Sequence, residues 1–155
     1  MDIAAQVEAS ANYDEITDTL LLGGKPRSEE FLREFLGVEA VLTCAAELEP
    51  LMEGKKLAID DDVGFDITPY LVEGIRYLES VKGKRVYVHC AAGVSRSGSV
   101  VVAYIMWRDR KGLSEALKWV RERRQCVAPN EAFIKQLKDF SEKLVACDYA
   151  IDSFS

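Results

Sequence analysis

The run Arg85-Val86-Tyr87-Val88-His89 reads as a short buried strand, and a few small or polar residues later, from about Ser97, the chain takes on a helical period. A strand that gives way so quickly to a helix must sit in a sheet onto which that helix packs back. Other segments repeat the theme. Leu20, Leu21 and Leu22 end at Gly23-Gly24, residues 40–44 follow Gly37, and residues 56–60 follow Gly54, each with the pattern of a short buried strand. Pro26-Arg27-Ser28 before Glu29 and Glu30 predicts a capped helix that Gly37 would end in a left-handed conformation. Thr68-Pro69 predicts a second start, with Thr68 as cap and Leu71, Ile75 and Leu78 on one face. Three helices should follow the strand at residue 85: one over 97–110, one capped by Ser114 and ending near Arg124, and one capped by Asn130. The last carries Phe133, Leu137, Phe140 and Leu144 as a stripe. The fold class implied is α/β, a mostly parallel twisted sheet of about four to five short strands flanked by helices.

No repeat, low-complexity tract or linker divides the chain, so residues 1–155 are expected to form one domain, large enough to bury roughly 68–70% of the unfolded surface. A formal net charge of -6 argues against a general nucleic-acid or anionic-membrane binder. The basic clusters at 82–85 and 108–111 read as solvated helix faces and ends. The longest apolar run, 100–107, is far short of the roughly 20 residues of a membrane span. Met1-Asp2-Ile3-Ala4-Ala5 lacks a basic segment followed by an apolar one, and Asp2 stands where an acylated glycine would be needed. A cytoplasmic and also nuclear location is the expectation. Four cysteines without a CxxC pair, and a single histidine, make a metal site or a disulfide framework a poor reading, and no cofactor is expected.

The chemistry concentrates at the strand-to-helix junction, His89-Cys90-Ala91-Ala92-Gly93-Val94-Ser95-Arg96-Ser97. A short loop entering a helix aims several backbone N–H groups, and the positive end of the helix dipole, at one point, which makes it a site for phosphate or another oxyanion. Ala91, Ala92 and Gly93 offer little side chain to obstruct that curl. A thiol at the start of such a loop has its pKa lowered from about 8.5 into a range of roughly 3.5–7.5, so Cys90 is expected to be a thiolate. Arg96 can offer two parallel donors to phosphate oxygens, and Ser97 can donate to the Cys90 sulfur. His89, at the strand end, is expected to bond the loop backbone as a neutral ring.

His-Cys-x-x-Gly-x-Ser-Arg-Ser resembles the signature of the dual-specificity protein phosphatases, within the cysteine-dependent protein-tyrosine-phosphatase superfamily. The likeness runs from Asn12-Tyr13-Asp14-Glu15-Ile16 through Leu144, which puts the domain core at about 12–145. It implies a protein-tyrosine-phosphatase-like fold and a metal-free reaction in which Cys90 attacks phosphorus, a cysteinyl-phosphate forms and water hydrolyses it. In the family the general acid lies five residues before an Asp-Ile-Ser/Thr segment; Asp66-Ile67-Thr68 therefore implies Asp61, with Asp60 and Asp62 as alternatives. Arg124 with Pro129-Asn130 and Phe133 resembles the family's late motif. That likeness gives Asn130 the task of bracing the loop and Arg124 a contact to a second substrate phosphate, although Gln125 stands where several relatives have proline. Some relatives form a protective disulfide that would here join Cys44 to Cys90.

The substrate would meet Ala91, Ala92, Gly93, Val94 and Ser95 together with Arg96. The variable positions, Ala91, Ala92 and Val94, are uncharged, whereas relatives acting on inositol phospholipids tend to carry lysines there. Phosphoproteins, on tyrosine and on serine or threonine, are the expected substrates, with vanadate-like oxyanions as inhibitors. A phosphoglycan, an RNA 5′-phosphate or a phosphoinositide is the alternative substrate, and a phosphopeptide-binding module is the alternative activity. With no long extra N-terminal domain, the chain resembles the small atypical members.

Overall fold

A single sheet carries strands β1 (Tyr13–Glu15), β2 (Leu20–Gly23), β3 (Ala40–Thr43), β4 (Gly54–Lys56) and β5 (Val86–His89) in the spatial order β1-β2-β5-β3-β4. The computed structural model describes residues 12–154; the readings of Met1 and Asp2 lie outside them. Only β1 runs antiparallel, to β2, and the four remaining strands are parallel. This is the mostly parallel sheet expected from alternating strand and helix signals.

Strand β5 is central and buried along its whole length. Its side chains alternate between two apolar layers, as the period of 2 requires. Val86 and Val88 join Leu20, Leu22 and Leu42 in the main core, while Tyr87 joins Leu21, Val41 and Met52 in a smaller one on the opposite face. The main core is closed by helices α1 (Thr68–Ser80), α2 (Arg96–Asp109), α3 (Leu113–Arg123) and α4 (Glu131–Ala146). The smaller core is closed by a π-helical turn, Phe31–Phe35, through Phe31 and Leu32.

Register fixes where a ligand could meet the sheet. Gly23 and Thr43 both pair with His89, so β2, β5 and β3 end at one level with β5 in the middle. The crevice beyond the carboxyl ends of parallel strands is where open α/β sheets bind ligands.

Several local expectations shift. The helix expected after Ser28 is short and π-helical; Ser28 Oγ does accept from the Phe31 N–H at 3.0 Å, and Gly37 ends the segment with φ of 65°. The strand expected over 56–60 is hydrogen-bonded as a ladder only over Gly54–Lys56, because β3 leaves the ladder after Thr43. Leu57 and Ile59 are nonetheless fully buried, and the pairing continues irregularly past Lys56: the Leu57 N–H donates to the Thr43 carbonyl at 2.8 Å and the Ile59 carbonyl accepts the Ala46 N–H at 3.0 Å. Thr68 is not a cap: the helix starts at Thr68 itself, whose N–H bonds Asp66 and whose hydroxyl bonds Gln136. Ser114 is likewise inside α3, with Gly112 at the cap position.

Candidate active site

Residues 90–95 link β5 to α2 in a tight curl held against the end of β2. Gly93 has φ of 71°, and a Cβ there would lie 2.4 Å from the Gly23 carbonyl carbon and 2.7 Å from the Gly24 nitrogen. Only glycine fits a position that combines left-handed backbone with such close approach. The Gly23-Gly24 pair that ended a predicted strand is thus the surface the loop packs on.

Cys90 lies at the base of the curl, 3% exposed. Its Sγ is 3.1 Å from Ser97 Oγ and accepts the Gly93 N–H at 3.2 Å. Burial pushes the thiol pKa up, but the Ser97 hydroxyl and the N–H groups of Ser97, Gly93 and Val94 outweigh it, and the net shift is downward. The downward shift thus has a local cause in the hydrogen bonds around the sulfur. Ala91 and Ala92 are exposed and Val94 half-buried, so the open side of the loop is lined by small uncharged groups. Ser95 is buried; its Oγ accepts the Asn130 N–H at 2.9 Å and its carbonyl accepts from Ser99.

His89 bridges β3 and the loop. Its Nδ1 is 3.1 Å from the Cys90 carbonyl and its Nε2 is 2.9 Å from Thr43 Oγ1. A carbonyl can only accept, so Nδ1 carries the proton and Nε2 takes the Thr43 hydroxyl, a neutral ring. Burial, which lowers the imidazole pKa, agrees.

Arg96 is buried and held from outside the loop. Glu47, a residue that no sequence motif singles out, takes Nη1 at 2.5 Å and Nη2 at 2.9 Å, and the Ile59 carbonyl takes Nη1 at 3.1 Å. The Glu47 carboxylate is held at a pKa of about 2, chiefly by the Arg96 hydrogen bonds. A guanidinium carries five N–H donors. Glu47 covers its terminal edge, so the edge formed by Nε–H and the second Nη2 proton is left as a side-on fork for an anion.

Asp61 Oδ1 accepts from Asn130 Nδ2 at 3.0 Å, and its charge helps to raise the Arg96 pKa. Asp62 is committed elsewhere, since its Oδ1 accepts the Gly64 N–H at 2.7 Å within its own turn. Besides holding Asp61, Asn130 caps α4 through Oδ1 on the Phe133 N–H, and its own N–H reaches Ser95.

Arg124 departs from expectation. Its side chain is 2% exposed and turns to the back of the loop, so it is not placed to meet a second substrate phosphate. Nε donates to the Gly93 carbonyl at 2.9 Å, Nη1 to Asp14 at 2.9 Å, and Nη2 to Asn12 at 2.7 Å and to the Ala92 carbonyl at 3.1 Å. These partners lie more than a hundred residues away in the case of Asp14 and Asn12, beyond what any local spacing signals.

Cys44 sits one residue past the Thr43–His89 pair and is fully buried, a free thiol whose pKa is raised by burial and then by the neighbouring Cys90. Among the described residues no cluster of His, Cys, Asp and Glu could hold a metal ion, and no helix is long and apolar enough to cross a membrane.

Residues 20–143 match the family model for the dual specificity phosphatase catalytic domain. The chain belongs to the dual-specificity phosphatase family. This dual-specificity phosphatase domain is 35% identical over 139 residues to dual specificity protein phosphatase 1-B of Xenopus laevis, an alignment that covers 85% of the chain but 38% of that relative. It therefore spans well under half of the length of the curated relative it matches. Among solved structures, human DUSP28 superposes with a TM-score of 0.79 at 22% identity, covering 87% of this chain and 96% of that one. PTPMT1, solved in complex with PI(5)P, superposes with a TM-score of 0.77 at 24% identity over 89% and 99% of the two chains. The five-stranded mixed sheet with its covering helices is the fold these phosphatases share.

Proposed function

We propose that this domain hydrolyses phosphate monoesters of phosphoproteins, on tyrosine and on serine or threonine, through a cysteinyl-phosphate on Cys90. The observation that carries the reading is the Cys90 sulfur held by Ser97 and by loop N–H groups, with the Arg96 fork on the same loop. The Cys90 thiolate attacks phosphorus; a P–S bond forms and the ester P–O bond breaks. Asp61 gives its proton to the departing oxygen, then as carboxylate takes one from the water that attacks phosphorus. The P–S bond breaks in that second step, and the Ser97 hydroxyl stabilises the returning thiolate. Throughout, Arg96 and the loop N–H groups face the phosphoryl oxygens, where negative charge is concentrated.

Two features favour a singly phosphorylated protein substrate. The rim offered by Ala91, Ala92 and Val94 is uncharged, and Arg124 is turned away from the open face. Signalling phosphoproteins of the cytoplasm or nucleus are the class this reading implies. Its test is hydrolysis of phosphotyrosine and phosphoserine/threonine peptides beside an inositol phospholipid, a phosphoglycan and a 5′-phosphorylated RNA, with chelator present and with vanadate as competitor. Phosphopeptides should be turned over at rates chelator does not change. Turnover of the non-protein phosphates alone, or binding of phosphopeptides without any turnover, would replace this reading with one of its alternatives.

The same site supports oxidative control. Cys44 and Cys90 follow a register pair on neighbouring strands, which sets their Cα atoms about 5 Å apart, inside the roughly 4.4–6.8 Å window of disulfides. Peroxide would oxidise the Cys90 thiolate to a sulfenic acid, and the Cys44 thiol would then displace water to form the S–S bond. Peptide mapping after mild peroxide treatment should recover a Cys44–Cys90 cross-link that thiol reductant reverses. Overoxidised Cys90 alongside a free Cys44 would contradict it.

A further inference from the structure

Each carbonyl group of the loop from Cys90 to Val94 is met by a hydrogen-bond donor. Cys90 O faces His89 Nδ1 at 3.1 Å, and Ala91 O accepts the Lys25 N–H at 2.9 Å. Ala92 O accepts from Arg124 Nη2 at 3.1 Å and from Asn12 Nδ2 at 3.2 Å. Gly93 O accepts from Arg124 Nε at 2.9 Å, and Val94 O accepts the Ala128 N–H at 2.9 Å. In a planar trans peptide the C=O and N–H point in opposite directions, so a carbonyl fixed outward turns its partner N–H inward.

Arg124 holds a particular pair of these peptides. The Ala92 carbonyl belongs to the peptide that carries the Gly93 N–H, and the Gly93 carbonyl to the one that carries the Val94 N–H. Those two N–H groups are among the donors to the Cys90 sulfur. Gly93, with no side chain to restrict it, is also where a peptide flip would be least hindered. A single guanidinium therefore clamps both peptides flanking the loop's most permissive residue.

We propose that Arg124 is a positioning residue that sets the phosphate-facing N–H groups of the loop from behind, with Asp14 and Asn12 as its anchors. Asp14 balances the charge of a side chain only 2% exposed, at 2.9 Å from Nη1. Asn12 fixes the direction of Nη2 and reinforces the Ala92 carbonyl with its own amide. Strand β1 thereby acquires a part in the reaction: Asp14, its middle residue, and Asn12, just before it, anchor the clamp beside β2. The role rests on the phosphatase reading of the site, but it predicts a property of the thiol that can be read without turnover.

The test measures the pH dependence of Cys90 alkylation by iodoacetamide, and vanadate inhibition of aryl phosphate hydrolysis, in the parent, Arg124→Met and Arg124→Lys, with thermal melting to confirm folding. Arg124→Met loses both carbonyl contacts, and the thiol pKa should rise by about one unit while vanadate inhibition weakens roughly tenfold. Arg124→Lys keeps the charge beside Asp14 but offers a compact point donor in place of the fork, so a smaller shift in the same direction is expected. It also decides the matter should Arg124→Met fail to fold. A folded variant whose thiol pKa and vanadate affinity equal the parent's would overturn the proposal, and leave Arg124 as a contributor to stability alone. A parent without phosphatase activity would instead count against the proposed function, while the alkylation profiles would still judge the clamp.

Discussion

Cys90→Ser should hydrolyse an aryl phosphate at least about a thousandfold more slowly than the parent, with or without chelator, because losing the nucleophile of a covalent mechanism removes the reaction path itself. The substitution changes one atom and leaves the loop's geometry in place. What it removes is acidity. Gly93 N–H, Val94 N–H and the Ser97 hydroxyl together outweigh burial and lower the thiol pKa, but a serine hydroxyl starts so far above a thiol that the same donors leave it neutral. Anion binding should survive, since the N–H groups and Arg96 are untouched, and a phosphopeptide should bind Cys90→Ser within a few-fold of its affinity for the parent. The two measurements separate the possibilities. Residual hydrolysis near the parental rate would exclude Cys90 as nucleophile, and loss of phosphopeptide binding would mean that the sulfur itself holds the loop's shape. In the parent, kcat/KM should fall as pH drops through the lowered thiol pKa, because the thiolate is the reactive form.

The same loop explains which parts of the site could be read from sequence. Cys90, Gly93, Arg96 and Ser97 lie in one short segment whose chemistry depends on local spacing, and a strand entering a helix is itself a local signal. Asn130 was legible as the cap of α4, its side chain standing just before a helical stripe, whereas its contact to the loop is made by its backbone N–H on Ser95. Glu47 and the inward turn of Arg124 were not. The Glu47–Arg96 and Asp14–Arg124 contacts join residues brought together only by strand order and register, and an acidic residue after a strand is ordinarily a solvated one. Strand β1 escaped notice because three residues, partly exposed, carry no burial period. At β4 the apolar alternation runs further than the regular ladder: Leu57 and Ile59 are buried like strand residues, while the register ends at the Thr43–Lys56 pair and only single bonds, Leu57 N–H to Thr43 and Ala46 N–H to Ile59, follow it. Burial is written in the apolar pattern, whereas a regular register depends on how the neighbouring strand runs.

Asp61→Asn should separate substrates by their leaving groups. A proton donor matters in proportion to the basicity of the oxygen it protonates, and general acid catalysis contributes roughly 10²–10⁴ in rate where that oxygen is a poor leaving group. A phosphoserine peptide must expel an alkoxide and should lose about a hundredfold or more, whereas an aryl phosphate with an acidic phenol should lose less than about tenfold. Asparagine suits the test, because its side-chain oxygen can still accept the Asn130 Nδ2–H that now meets Asp61 at 3.0 Å, so the loop position is kept while the transferable proton is lost. Asp62→Asn serves as the comparison. Its carboxylate is turned onto the Gly64 N–H, so substitution there should disturb the turn without discriminating between leaving groups. Losses of equal size on both substrates in Asp61→Asn would instead fit a charge that merely steadies Arg96, which Asp61 also faces. A leaving-group-dependent loss appearing in Asp60→Asn or Asp62→Asn, and absent from Asp61→Asn, would move the acid to that neighbour and require the loop to rearrange when substrate binds.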